Sequence, residues 1–138
     1  MTRKLISFLL ATVMMFSFGV TSFALATQEP EIQPYYAYTT SRKTSLNKSG
    51  DNLVCKASLV GVQGTTTKIK ITMTLEKKVL FWWSEKATWT QTFNSSSGTL
   101  SKIYSDISSG TYRVSAEYVA YSGSKSETIT DTSLEVKV

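Results

Sequence analysis

Any chemistry in this chain has to be done without histidine, which occurs nowhere in its 138 residues. That removes the commonest general base, the Ser-His-Asp and Cys-His arrangements, and most zinc sites. No Gly-rich phosphate loop or Asp-x-Asp calcium loop is present. A carboxylate pair, as in glycoside hydrolysis, is the remaining route. Its candidates are Asp51, Glu76, Glu85, Asp106, Glu117, Glu127, Asp131 and Glu135. They are scattered along the chain, and Asp51, Glu76, Glu85 and Asp106 sit beside a lysine or in a turn, as solvated surface carboxylates do. The reading is therefore not an enzyme, with no catalytic residue, no metal and no cofactor assigned; a carboxylate-pair hydrolase is a distant third reading.

Two features remain. The single cysteine, Cys55, shares the parity of Leu53, Ala57 and Leu59 and reads as a small buried apolar residue. The run Val79-Leu80-Phe81-Trp82-Trp83 stands where a hairpin turn should carry Gly, Asn or Asp. Trp83 and Trp89, six residues apart on one strand face, are expected in the core with Ala87 and Phe93. Leu80, Phe81 and Trp82 do not share that parity or fall in the turn. They either cover an edge of the fold, together with Tyr35, Tyr36 and Tyr38, or form an exposed apolar tip. Contiguous exposed apolar patches mark ligand, partner or membrane contacts.

The elements that must position these residues alternate apolar and polar with a period of two, and no stretch sustains a helical period. Strands are expected over 36–46, 52–61, 67–77, 82–93, 99–104, 110–121 and 125–138, the last broken near Asp131. The clearest has Ile69, Ile71, Met73 and Leu75 facing inward between Lys68, Lys70, Thr72, Thr74 and Glu76. Seven short strands with regular turn signals describe a two-sheet antiparallel sandwich, with an antiparallel barrel as the competing architecture.

Arg3-Lys4, an uncharged apolar run from Leu5 to Gln28 and Ala24-Leu25-Ala26 make residues 1–26 a secretory signal peptide cleaved after Ala26. Residues 27–35 then form a tail and 36–138 the sandwich domain. No wall-sorting tail follows, so the product is expected to be released from the cell. A small exported domain with one cysteine cannot form an internal disulfide, which points to a Gram-positive bacterial chain stabilised by its apolar core. The net charge of +5 falls by two when Arg3 and Lys4 are removed. The remaining excess is scattered and lacks an arginine cluster, so no nucleic-acid partner is expected.

Ser109-Gly110-Thr111-Tyr112-Arg113-Val114 resembles the entry into the sixth strand of an immunoglobulin-like sandwich. There a tyrosine bonds back to the preceding loop, which gives Tyr112 a structural role. Cys55 looks like the first cysteine of such domains, but Val114 stands where the second would be, so the immunoglobulin disulfide is absent. Cys55-Lys56-Ala57, the run Lys70 to Lys78, Trp83 to Trp89 and Gly110 to Val114 are together similar to a family of small secreted Firmicute proteins of unknown function. That resemblance implies fold and export and no catalytic residue.

The reading is a secreted, disulfide-free, non-catalytic binding module. Its partner is a protein, a glycan or a cell-envelope ligand, met through Leu80, Phe81 and Trp82. The alternative is a membrane-active or toxin-like protein that inserts the Val79–Trp82 tip into a bilayer.

Overall fold

The computed structural model describes residues 36–138. The expected signal peptide and the tail at 27–35 lie outside the described residues. The strands are β1 (Thr39–Ser49), β2 (Asn52–Gly61), β3 (Lys68–Val79), β4 (Trp82–Phe93), β5 (Ser97–Tyr104), β6 (Thr111–Ser122), β7 (Lys125–Thr132) and β8 (Val136–Lys137). They form two antiparallel sheets, β1-β2-β5 and β4-β3-β6-β7, with β8 paired to β6. The chain is an all-β sandwich without a disulfide among the described residues, the architecture expected from the alternation.

Period-two patterning does the sorting. Leu53, Cys55, Ala57 and Leu59 of β2 face Ile69, Ile71, Met73 and Leu75 of β3 and Tyr112, Val114, Ala116, Tyr118 and Ala120 of β6 across a closed interior. Leu46, Leu100 and Ile129 complete it. Tyr118 also ties the sheets together. Its hydroxyl donates to the Lys43 carbonyl at 3.0 Å and meets the Thr44 hydroxyl at 2.6 Å, which satisfies a buried polar tip without water.

The last strand breaks as expected, and Ser133 shows why. Its amide donates to the Val114 carbonyl, and its hydroxyl accepts from the Val114 amide, both at 2.8 Å. The side chain has taken over a ladder bond, so strand pairing resumes only at β8. At the other end of the chain, Glu127 accepts from the amides of Ala37 (3.0 Å) and Tyr38 (2.7 Å). That pins the lead-in to β1 at the end of β6 and β7 remote from the β3–β4 hairpin. Tyr36 and Tyr38 pack there against the core, so they do not cover the hairpin.

Three hairpins have two-residue loops, and in each the first loop residue has a positive φ. Gly50 (+59°) and Gly123 (+60°) supply it at β1–β2 and β6–β7 without steric cost. At β3–β4 the residue is Leu80, at +55°. No other non-glycine among the described residues has a positive φ.

Candidate functional site

The β3–β4 hairpin builds the site. Val79 pairs with Trp82, leaving Leu80-Phe81 as the entire loop. A tight loop at the end of a paired ribbon cannot fold its side chains back over the sandwich. Leu80 is 74 %, Phe81 96 % and Trp82 55 % exposed. Lys77 and Lys78 precede this apolar apex directly.

The base of the apex is well anchored. The Lys77 ammonium donates to the Ser108 hydroxyl at 2.6 Å and lies 5.5 Å from the Tyr112 ring centroid. The Lys77 stem crosses Gly110, whose φ of +151° favours glycine; a Cβ there would come within 2.5 Å of the lysine Cε and push it aside. Tyr112, 1 % exposed, donates its hydroxyl to the Ser108 carbonyl at 3.0 Å and accepts from the Ser108 amide at 3.1 Å. This is the tyrosine corner. Burial pushes the Tyr112 phenol up, but the Ser108 bonds and the Lys77 charge outweigh it and leave the pKa lowered.

Trp83 is not in the core. The register shifts between Leu75↔Ala87 and Glu76↔Glu85, so Lys86 is an extra residue in β4. A bulge of one residue exchanges the faces of everything beyond it. Trp89 and Phe93, before the exchange, pack against the core as expected. Trp83 instead opposes Lys78 on the outer face and lies under Arg113, whose guanidinium carbon is 4.0 Å from its ring centroid. The same exchange turns Trp82, opposite Val79, toward the inner face, where it remains exposed.

Cys55 is fully buried, and desolvation raises its thiol pKa to about 11. A buried, protonated thiol is a poor nucleophile. Among the carboxylates, the register brings Glu76 opposite Glu85 on the outer face. Glu76 is engaged by Arg113 at 3.1 Å and Glu85 accepts from the Thr88 hydroxyl at 2.6 Å. No group of three potential metal ligands occurs among the described residues.

A second surface was not singled out by motif. The outer face of β1-β2-β5 carries an open groove of about 330 Å³ lined by Lys43, Ser45, Asn47, Lys56, Ser58 and Thr99. The signal for it lies in the spacing: lysine and hydroxyl residues alternate with the buried positions of three strands that contain no Asp or Glu.

Fold and site together define a two-sheet β-sandwich that presents an apolar hairpin apex. No family model matches the chain, and no curated protein matches it. Among solved structures, the chain is similar to wild-type OgpA from Akkermansia muciniphila, with a TM-score of 0.39 and 11 % identity over 77 % of this chain and 32 % of that one. A structure of catalytically inactive OgpA in complex with an O-glycopeptide, glycodrosocin, gives a TM-score of 0.38 and 10 % identity over 77 % and 33 %. The chain thus spans about a third of the length of these proteins, and no site residue is carried across.

Proposed function

We propose that the protein is a secreted, non-catalytic interaction module that engages a cell-envelope, glycan or protein partner through Leu80, Phe81 and Trp82. One observation carries the reading: Leu80 occupies a positive-φ turn position that the other two such hairpins give to glycine. A non-glycine residue there costs of order 1 to 3 kcal/mol, and such strain concentrates at functional sites. Two large apolar side chains exposed in that loop contribute little to folding. A convex apex on an anchored base is suited to entering a concavity in a partner.

The membrane-insertion reading is favoured by the two lysines next to the apex, since cations flanking an apolar tip suit an anionic interface. The two readings differ in a direct experiment. A photo-crosslinking phenylalanine analogue at position 81, displayed to intact producing cells, should give one dominant macromolecular adduct. The same analogue at Leu134, itself 88 % exposed, should give none. Equal labelling from both positions would refute a specific apex contact. Vesicles of phosphatidylglycerol and phosphatidylcholine should leave tryptophan emission unchanged; a blue shift would favour insertion.

A further inference from the structure

We infer that the outer face of the β1-β2-β5 sheet binds a phosphate or sulfate ester carried on a hydroxyl-rich chain. The groove there is independent of the hairpin apex and lies on the other sheet.

Charge is partitioned between the sheets. β1, β2 and β5 carry Arg42, Lys43, Lys48, Lys56 and Lys102 and no carboxylate. All strand carboxylates, Glu76, Glu85, Glu117, Glu127 and Asp131, belong to β3, β4, β6 and β7. Arg42 reaches Asp131 at 3.9 Å, whereas Lys43 and Lys56 make no ion pair with any described residue. These two are the cations of the groove. Lys43 pairs with Ser58 and Ser45 with Lys56, so the lysines are diagonal neighbours on one face. Such neighbours lie about 7 to 8 Å apart, within reach of a single tetrahedral anion between their ammonium groups. An oxyanion placed between them relieves the repulsion of two like charges held at that spacing.

The remaining lining explains why the anion should be part of a hydroxylated chain. Ser45, Ser58 and Thr99 offer hydroxyls that donate and accept, and Asn47 adds an amide. No aromatic residue lines the groove, so it lacks the stacking platform that single-stranded nucleic acid requires. The site is also built on a fixed frame. The Tyr118 hydroxyl holds the Lys43 carbonyl and the Thr44 hydroxyl from inside the core, so the backbone that carries Lys43 cannot slide.

Titration of the folded chain, followed by amide chemical shifts, tests this. The probes are a short glycerol-phosphate oligomer, a sulfated disaccharide, the unsulfated disaccharide and a short oligonucleotide. Saturable shifts at Lys43, Ser45, Lys56, Ser58 and Thr99 are expected with at least one of the first two probes. Which of these binds more tightly decides between a phosphate and a sulfate source. The unsulfated sugar should move nothing. Lys43→Gln with Lys56→Gln should weaken binding at least tenfold, while Lys70→Gln with Lys125→Gln should leave it intact. Shifts spread evenly over Lys70, Lys125 and Lys137, or binding indifferent to the Lys43/Lys56 pair, would overturn the site. An oligonucleotide that bound as tightly as the glycerol phosphate would overturn the ligand class.

Discussion

Arg113 covers Trp83 at 4.0 Å from guanidinium carbon to ring centroid, and its Nη2 donates to Glu76 at 3.1 Å. The stack exists because the β4 bulge sends Trp83 to the outer face, where β6 offers a cation. Arg113 and Glu76 side chains are 30 % and 15 % exposed, so water screens the pair only partly.

Removing the guanidinium takes away both contacts and leaves Glu76 without its partner. Arg113→Ala should cost about 1 to 2 kcal/mol, combining a charge-assisted hydrogen bond with a cation–π contact and discounting for exposure. Urea denaturation measures it. Arg113→Lys should recover less than half, because an ammonium loses the planar stack. Full stability in Arg113→Ala would show the stack to be ornamental.

How much of this was legible in the sequence follows from where the signal resides. The alternation Ile69, Ile71, Met73, Leu75 states which face of β3 is buried, and parity placed Cys55 among Leu53, Ala57 and Leu59. The Gly110-Thr111-Tyr112 run stated the tyrosine corner. Parity failed at Trp83 because a single inserted residue, Lys86, reverses it, and a bulge without glycine carries no local mark. The proximity of Lys43 to Lys56 was hidden for a different reason. Each lysine sits on a different strand, and only the register of β1 against β2 makes them neighbours. The conformation of Leu80 was hidden too, since leucine advertises no positive φ.

Tyr112 closes the corner that anchors the apex, so its hydroxyl and its ring should separate energetically. Tyr112→Phe loses the Ser108 bonds and should cost on the order of 1 kcal/mol. Tyr112→Ala empties a buried aromatic site and should cost about 3 to 5 kcal/mol. A thermal melt distinguishes them. An unchanged melting temperature in Tyr112→Ala would remove the strand assignment around β6.

Cys55 gives the protein a pH dependence of known sign. Its thiol ionises near pH 11 when folded, against a reference of 9.0. Above about pH 9 the unfolded chain releases a proton that the folded chain retains, so stability should fall as pH rises from 9 toward 11. Below pH 9 the group is protonated in both states and contributes no slope. Tyrosines titrate in the same range, so Cys55→Ala is the comparison: its stability should fall less steeply over this window. Parallel curves for the two proteins would remove the thiol as the cause. Thiol labelling at pH 8 should proceed only as fast as the fold opens.

The apex prediction separates folding from binding in one molecule. Asparagine tolerates the left-handed conformation that leucine resists, so Leu80→Asn should raise stability by about 0.5 to 1 kcal/mol. Phe81, at 96 % exposure, touches little, and Phe81→Ser should stay within about 0.5 kcal/mol of the parent, as surface changes do. The double variant Leu80→Asn/Phe81→Ser should therefore melt at or above the parent temperature. Yet it should lose the partner contact detected by crosslinking, now read from Trp82→(photo-crosslinking analogue), because exposed aromatics carry most of an interface's energy. Anion binding in the Lys43/Lys56 groove should be unchanged, since that surface belongs to the other sheet. A double variant that lost several kcal/mol of stability would make the apex a structural seal. One that kept the adduct would move the partner elsewhere on the sandwich. Only a stable fold with a lost contact means that Leu80 is strained because the apex is used.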